Sequence, residues 1–365
     1  MTDSFDHKRL YIPGPVEVRR EILDAQGGWM IGHRSPEFAE LYARLQPKLM
    51  EAFSAGEGYR VYIYTSSGSG IWESASRCCV RDDRPILHLV NGAFSERWAE
   101  VSRANGKPVD VVEVPWGQAV KPEAVAEALR RKSYDAVAVV YNETSTGVLN
   151  PLPEIAEAVR PYEDTLLLVD AVSCWLGTEV ETSAWGLDLV LASSQKALAL
   201  PPGIAFGAVS DRVLARAGQI PHRGYYFDVL ALEKSHLKNN TPATPPISLM
   251  FAADRQLDDI HAEGYANRFR RHRALAEQTR AWVRERGFAM FSEEGYHSPT
   301  VSTVRNTRGI DFKAMQTFLA ARGIALGGGY GKIKGETFRI AHMGDTYQAD
   351  MDRLFAAMDA FLDGP

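Results

Sequence analysis

Cysteine is scarce in this chain, and long apolar segments are absent from it. Three cysteines occur in 365 residues, and two of them, Cys78 and Cys79, are adjacent in sequence. With Cys174 as the third, they form no disulfide framework, which is typical of proteins in a reducing compartment. The apolar runs are short and interrupted by charge, which excludes a membrane-spanning helix.

Neither sign of charge dominates the chain. Charged residues make up 24% and the net charge is −5, which favours neither nucleic acid nor an anionic membrane as a partner. Segment 1–9 has no apolar stretch of the kind that a secretory signal needs, so we expect a cytoplasmic protein. The nine histidines form no H-E-x-x-H pattern and no paired Cys/His spacing, so no metal site is expected.

Short apolar, β-branched runs alternate with amphipathic stretches between about residues 60 and 210. The candidate strands cover residues 61–64, 86–90, 109–114, 136–141, 165–169, 187–192 and 204–209. Helix-like segments such as 123–130 and 153–159 lie between several of them. This alternation predicts an α/β fold with a mostly parallel, seven-stranded sheet and helices on both faces. Ligands bind to such sheets beyond the carboxyl ends of the strands.

The pattern changes after residue 250. The segments then predicted are a long helix over about 260–286, apolar pieces at 288–291 and 300–304, a helix over 312–321, a glycine run at 327–329, a strand near 337–341 and a final helix over 349–362. We therefore predict two domains, a large one over 1–250 and a smaller α+β domain over 251–365.

Lys196 and Asp170 are the residues around which a site can be built. Lys196 stands among small and apolar residues before a Pro-Pro-Gly turn, a poor setting for a solvated helix face. A partly desolvated lysine has a lowered pKa, which suits a Schiff base with an aldehyde. Asp170 ends an apolar strand, and its carboxylate could keep the nitrogen of a pyridoxal phosphate ring protonated. The alternatives are a surface lysine and a capping or turn aspartate.

Three further features could contact such a cofactor. The Ser/Gly turn at 66–70 follows a strand and opens a helix, where free N–H groups attract phosphate, although such turns are frequent. It matches neither a nucleotide P-loop nor G-x-G-x-x-G, so a monophosphate is favoured. Phe94 could stack on a flat ring or pack in the core. Arg339, inside an apolar strand pattern, could bind a carboxylate or form a structural ion pair.

Taken together, these features resemble the class V aminotransferases, which are pyridoxal phosphate enzymes of fold type I. The alanine/serine–glyoxylate aminotransferase group is the best match, and phosphoserine aminotransferase is a near relative. The resemblance runs from about residue 12 to the C-terminal helix. Its motifs are Pro-Gly-Pro at 13–15, Gly-His-Arg-Ser-Pro-Glu-Phe at 32–38, Gly-Ser-Gly at 68–70, Asn-Glu-Thr-Ser-Thr-Gly at 142–147, Val-Asp at 169–170 and Ser-Gln-Lys at 194–196.

The resemblance implies a pyridoxal 5′-phosphate site. Lys196 would form the Schiff base, Asp170 would pair with the pyridinium nitrogen, and Thr144 would hydrogen-bond the phenolic oxygen. Phe94 would stack on the ring, where the family usually has a tryptophan, and this smaller face would loosen the cofactor modestly. The residues implied around the phosphate are Ser69, Gly70 and Gln195, and Ile71 is implied as a further cofactor-binding residue.

The resemblance also implies a substrate pocket and a homodimer. Arg339 would clamp the substrate α-carboxylate, and the other substrate-binding residues implied are Gly14, His33 and Arg34. Asn240 and Thr241 would reach the cofactor phosphate of a neighbouring subunit, with Thr244 as a competing alignment. The active sites would then be shared between subunits, and segment 1–20 would pack across the site.

We expect ping-pong transamination from a small amino acid, alanine or serine, to glyoxylate or pyruvate. Phosphoserine and aspartate are alternative donors. Phosphoserine aminotransferases typically add an arginine in the glycine turn where this chain has Ser69, although the pair His33 and Arg34 keeps that option open. A cysteine desulfurase-like lyase would need a C-terminal cysteine, and none follows Cys174. A non-catalytic cofactor-binding protein would be expected to lack the lysine, the acid or the arginine.

Overall fold

Strands and helices alternate along most of the chain, as the apolar periodicity predicts. The structure is a computed structural model that describes residues 7–364; residues 1–6 of the predicted N-terminal segment and residue 365 lie outside the described residues. The strands β1 to β14 are Arg9–Tyr11, Tyr59–Tyr64, Ile86–Val90, Val109–Glu113, Ala136–Val140, Asn142–Glu143, Val148–Leu149, Leu166–Asp170, Leu189–Ser193, Ala205–Ser210, Ala289–Met290, Val301–Arg305, Ile324–Gly328 and Thr337–Ala341. The helices α1 to α13 are Arg20–Ala25, Pro36–Ala52, Gly68–Cys79, Ala93–Ala104, Pro122–Arg131, Leu152–Val159, Thr182–Trp185, Asp211–Ala217, Val229–His236, Ile247–Glu263, Tyr265–Glu285, Phe312–Ala320 and Gln348–Leu362.

The larger sheet has seven strands in the order β2-β10-β9-β8-β5-β3-β4, and only β10 runs against the others. The predicted mostly parallel, seven-stranded sheet is therefore confirmed. Strands β8 and β9 are parallel neighbours, so their carboxyl ends meet at one edge of the sheet. Asp170 ends β8 and Lys196 follows the end of β9, which brings the two residues to that edge.

In the strands inside the larger sheet, successive residues enter opposite hydrophobic cores, whereas the edge strand β4 is only half-buried. In β5, Val137 and Val139 pack with helices α2, α5, α6 and α10, whereas Ala138 and Val140 pack with α3, α4, α8 and α9. Because both faces are covered, these strands read as continuous apolar runs rather than as alternating ones.

A smaller sheet of five strands has the order β1-β13-β14-β12-β11. Its core packs against helices α11, α12 and α13 through Trp282, Leu319 and Leu354. The N-terminal strand β1 pairs in parallel with β13, so the segment that follows β1 crosses from the smaller sheet towards the larger one. Within residues 7–364, no helix combines the length and the apolar character that crossing a bilayer requires.

The helix predicted over about 260–286 is confirmed as α11, Tyr265–Glu285, but its predicted start is too early, since residues 260–263 belong to α10. Helix α10 ends at Glu263 and α11 begins at Tyr265, because Gly264 between them has a φ of +80°, which ends a helix. Glu263 then forms ion pairs with Arg268 and Arg271 of the next helix. Apolar periodicity continues across such a break, so it could not reveal the break.

Candidate active site

A cavity of about 240 Å³ lies at the carboxyl ends of β8 and β9. Its lining residues are Gly14, Ser67, Gly68, Ser69, Trp72, Phe94, Val140, Asn142, Thr144, Asp170, Val172, Ser173, Gln195 and Lys196. The fold thus brings seven of the predicted residues to one cavity, namely Gly14, Ser69, Phe94, Thr144, Asp170, Gln195 and Lys196. This is the edge of the sheet where the α/β topology predicts a ligand site.

Lys196 projects from a tightly held loop after β9. The N–H of Ala199 donates to the carbonyl of Lys196 (2.8 Å), and Ala199 itself has a left-handed φ of +57°. The Lys196 amine donates to the carbonyl of Pro13. Burial lowers the pKa of Lys196 to about 8, the charge of Arg339 acts in the same direction, and the Asp170 carboxylate opposes both. A fraction of the amine is therefore neutral near pH 7, as a nucleophile or base requires.

Gly14 makes the room for this amine. An ideal Cβ at Gly14 would lie 2.7 Å from Nζ of Lys196, and the φ of Gly14 is +114°. Real Cβ atoms do not approach so closely, so any side chain here would displace the lysine. Glycine is thus required both by backbone conformation and by contact.

Asp170 is a buried carboxylate that, within residues 7–364, has no cationic partner in direct contact. Its Oδ1 accepts from the N–H of Val172 and its Oδ2 from Nε1 of Trp72, both at 2.8 Å. Burial raises the pKa of Asp170 to about 7, against the lowering effect of these two bonds and of Lys196, while Glu143 adds to the rise. A cationic N–H in the cavity would supply the missing counter-charge.

Helix α3 begins at the cavity wall. Within residues 7–364 the N–H groups of Gly68 and Ser69 make no hydrogen bond, whereas the N–H of Gly70 donates to the carbonyl of Ser67 (3.0 Å). The glycines allow close packing, since a Cβ at Gly68 would lie 2.7 Å from Val172. Free N–H groups and the helix dipole make this end a favourable position for an anion.

The predicted phosphate neighbour Gln195 and the predicted cofactor-binding residue Ile71 differ in position. Gln195 lines the cavity, and its Oε1 accepts from the hydroxyl of Ser193 (2.5 Å), which leaves the amide N–H groups as donors. The Ile71 side chain is fully buried in the core beneath α3 and does not line the cavity. Only its backbone is left for a cofactor contact.

The segment around β6 supplies polar groups to another wall. Asn142 donates from Nδ2 to the hydroxyl of Ser173 (2.8 Å), whereas its buried Oδ1 has no hydrogen-bond partner within the described residues. Thr144 lines the same cavity. A buried acceptor without a donor is costly, so a ligand donor would be favoured at Asn142.

Glu143 holds the start of helix α4, where Phe94 lies. Its carboxylate is fully buried and accepts from the backbone N–H groups of Phe94, Ser95 and Ser145, the last two at 3.0 and 3.1 Å. The hydroxyls of Ser95 and Ser145 donate to it as well. A carboxylate at a helix N-terminus is stabilising, and here it fixes Phe94 beside the cavity.

Arg339 lies close to the cavity without lining it. Its Nε donates to the carbonyl of Gly328 (2.8 Å), and its guanidinium stands over the ring of Tyr330 at 5.3 Å. Burial lowers the pKa of Arg339 to about 10, so it stays charged near neutral pH. Tyr330 also stacks on Phe94, with ring centroids 5.4 Å apart, so the segment after β13 contacts the start of α4 beside the site.

Five predicted residues lie apart from this cavity, namely His33, Arg34, Asn240, Thr241 and the alternative Thr244. Arg34 donates to Oδ1 of Asn240 (2.6 Å) and to the carbonyls of Thr241 (2.7 Å) and Pro242 (3.2 Å). His33 lies 3.4 Å from the hydroxyl of Thr244, measured from Nε2. The cavity that holds Lys196 includes none of them, and their roles stay predictions.

Trp72 and Glu143 were overlooked as functional residues at the level of sequence. Trp72 lies one helical turn after Gly68, so it shares the cavity-facing side of α3. That spacing could have indicated Trp72. Nothing local indicated that Glu143 meets the start of α4, because that contact joins residues about 50 positions apart.

Comparison with known proteins gives a consistent family. Residues 22–335 match the family model described as Aminotransferase class-V. The chain is 33% identical to the serine–glyoxylate aminotransferase of Methylorubrum extorquens, over 92% of this chain and 86% of that protein. It is 30% identical to the L-aspartate–glyoxylate aminotransferase of Paracoccus denitrificans, over 93% and 87%. The solved structure of an alanine–glyoxylate aminotransferase from Nostoc sp. matches with a TM-score of 0.93 and 28% identity, covering 99% of this chain and 97% of that one.

Proposed function

This chain belongs to the class-V aminotransferase family and is a transaminase of fold type I, and we propose that it moves an amino group from alanine or serine to glyoxylate or pyruvate with pyridoxal 5′-phosphate. The observation that carries the proposal is the meeting of the Lys196 amine and the Asp170 carboxylate at one cavity.

The cavity fits pyridoxal phosphate in charge and in hydrogen bonding. The free N–H groups of Gly68 and Ser69 suit the phosphate, and the Asp170 carboxylate suits a protonated ring nitrogen. The partnerless Oδ1 of Asn142 is available to a further donor, and Phe94 offers a flat apolar wall. When bound, the cofactor supplies an electron sink for the charge that develops at the substrate Cα.

The chain's own residues perform the proton transfers and the positioning. The Lys196 amine would take the proton from the substrate Cα and return it, since enclosure holds its pKa near the working pH. Asp170 would keep a proton on the ring nitrogen, and Arg339 would hold the substrate carboxylate by a bidentate ion pair. Donor and acceptor would occupy the same site in turn, and the first product would leave before the acceptor binds, which makes the kinetics ping-pong.

The contacts of Arg34 favour a small donor over phosphoserine. Three acceptors, on Asn240, Thr241 and Pro242, already engage its guanidinium. A substrate phosphate would have to displace them. Ser69 in the glycine turn offers no positive charge instead, so alanine or serine is the better match and aspartate is a further donor to test.

A homodimer would cover the most exposed apolar side chains. Trp29 is 96% exposed and Tyr225 is 93% exposed, and a subunit interface over them would remove this apolar surface from water. Thr241 is buried and donates its hydroxyl to Ala243 (2.8 Å), whereas Thr244 is exposed. We therefore favour Thr244 as the residue that reaches the neighbouring site, which sedimentation and a Thr244→Val variant would test.

Two further features belong to the proposal. We infer domains over 1–250 and 251–365, with the described part of segment 1–20 across the active site because Pro13 contacts Lys196. Strand β1 is an exception within this division, since it pairs with β13 of the smaller sheet. We also infer a cytoplasmic location, which the three buried, free cysteines support.

The test is the absorption spectrum of the purified protein with each donor separately. A yellow band that bleaches with L-alanine or L-serine, and returns with glyoxylate or pyruvate, is expected. Bleaching by L-phosphoserine or L-aspartate alone would replace the proposed donor. A yellow protein that reacts with no donor, or a Lys196→Ala variant with full turnover, would contradict the proposal.

A further inference from the structure

Trp72 donates its indole N–H to the carboxylate of Asp170. The distance from Nε1 to Oδ2 is 2.8 Å, and both side chains are buried. Within residues 7–364 the other donor to this carboxylate is the backbone N–H of Val172, which binds Oδ1. Each oxygen thus holds one donor and keeps a further lone pair. The plane of the carboxylate is fixed from both sides.

We infer that Trp72 is a positioning residue for the reaction, because its indole N–H fixes the orientation and the charge of Asp170 for the ring nitrogen of the cofactor. The inference rests on the proposed function, since that function gives Asp170 its partner. It adds a contact that neither sequence motifs nor family membership assigns.

Trp72 is itself held in place by buried neighbours. Its ring stacks on Trp98 with centroids 6.0 Å apart and an angle of 14° between planes. Its carbonyl accepts from the hydroxyl of Ser76 (2.8 Å), which hydrogen-bonds with Ser102 (2.9 Å), and Ser102 with His88 (2.9 Å). The hydroxyl network ties the backbone of α3 to its surroundings, and the stacking on Trp98 leaves the indole little freedom, which is what a positioning group requires.

The place of Trp72 on α3 gives this contact a second consequence. The same helix begins with the free N–H groups of Gly68 and Ser69, one turn before Trp72. One rigid element therefore sets both the anion position and the orientation of Asp170. Helix α3 would therefore fix the position of the cofactor phosphate relative to the ring nitrogen that Asp170 contacts.

Trp72 also favours the charged form of Asp170. Its N–H and that of Val172 oppose the burial that raises the pKa of Asp170 to about 7. The titratable groups around Asp170 are Glu143, which raises its pKa, Lys196, which lowers it, and the buried thiol of Cys174. Loss of the indole donor leaves one hydrogen bond to the charged form, so the midpoint should rise by about 1–2 pH units.

Trp98 offers a matched control. It is as buried as Trp72 and packs face to face with it, but its Nε1 has no hydrogen-bond partner among the described residues. Trp72→Phe and Trp98→Phe each replace an indole by a phenyl ring, at two positions that are neighbours in space. Only Trp72→Phe removes a hydrogen bond to Asp170.

The deciding measurement uses the cofactor-free protein labelled with ¹³C at aspartate carboxyls. An Asp170→Asn variant identifies the Asp170 resonance, which is then titrated in wild type, Trp72→Phe and Trp98→Phe. We expect the midpoint to rise by about one pH unit or more in Trp72→Phe and to stay unchanged in Trp98→Phe. An unchanged midpoint in Trp72→Phe, or an equal rise in both variants, would overturn the inference.

A kinetic measurement then tests positioning in the loaded enzyme. Turnover should fall about tenfold or more in Trp72→Phe with the KM for the donor little changed. Trp98→Phe should resemble wild type, because phenylalanine keeps an aromatic ring against Trp72 and no hydrogen bond is lost among the described residues. If Trp72→Phe does not fold, a benzothienyl-alanine at position 72 keeps the ring shape without the N–H. If wild type reacts with no donor, the proposed function fails, yet the titration still decides the role of Trp72.

Discussion

Gly14→Ala should separate the stability of this protein from its catalysis. The new Cβ would lie 2.7 Å from Nζ and 2.8 Å from Cδ and Cε of Lys196. Ordinary carbon contacts need about 3.5–4.0 Å, so the lysine must move by about 1 Å. These atoms are the far end of a flexible side chain, so the fold can yield there. A reacting group displaced by about 1 Å can lose roughly 100-fold in rate.

Gly106→Ala is the matched control for this variant. Gly106 also has a left-handed φ, +73°, but an ideal Cβ there meets nothing within 4 Å. Each alanine should cost about 1–2 kcal/mol in unfolding free energy from backbone strain. We would measure urea unfolding of the cofactor-free proteins and single-turnover rates with excess donor. Equal turnover in the two variants would refute the assigned role of Gly14, and so would a Gly14→Ala protein that is slow only because it is unfolded.

Three further perturbations follow from the geometry. The pKa of Asp170 is raised, so between pH 4 and pH 7 the native state holds a proton that the unfolded state releases, and wild type loses stability as the pH rises. The unfolding free energy of Asp170→Asn relative to wild type should therefore grow by up to about 4 kcal/mol from pH 4 to pH 8. A pH-independent difference between the two proteins in denaturation would contradict the raised pKa. Arg339→Lys should lower kcat/KM about 100-fold, mostly by raising KM, because an ammonium cannot bind a carboxylate bidentately. Arg305 lies on the neighbouring strand β12 and is exposed, so Arg305→Lys should leave kcat/KM unchanged. Glu143→Gln replaces one carboxylate oxygen by an amide donor that faces backbone N–H groups. It should lower the unfolding free energy by about 1–3 kcal/mol and speed hydrogen exchange at the start of α4, whereas Glu127→Gln, at an exposed position, should do neither. Unchanged exchange in both variants would argue against Glu143 as the anchor of Phe94.

Prediction from the sequence succeeded where the signal was local. The observed ends of the seven strands of the large sheet differ from the predicted ends by at most about two residues. A strand buried on both faces has a continuous apolar run in its sequence, which is a local signal. Asp170 and Lys196 could be placed at one edge of the sheet because parallel neighbours end together. The helix break at Gly264 was missed because a single glycine within a periodic segment is ambiguous.

The site was only partly predictable for a related reason. Seven of the predicted residues line the cavity, but groups that hold them, such as Trp72 for Asp170, are distant in sequence and carry no motif. Arg34 shows the converse case, since its motif is intact while its guanidinium is engaged by the segment at 240–242. A motif states which residue types are present, whereas the partners depend on which elements become neighbours.

The amino-acid sequence by itself determined the sheet, the family and the residues that can carry the chemistry, because apolar period and short motifs are encoded in adjacent positions. Only the tertiary structure decided that Trp72 holds Asp170, 98 positions away, and that the carbonyl of Pro13 receives the Lys196 amine, 183 positions away. The physical reason is that a hydrogen bond depends on distance and direction in space. Chain folding sets both, and no local pattern records them.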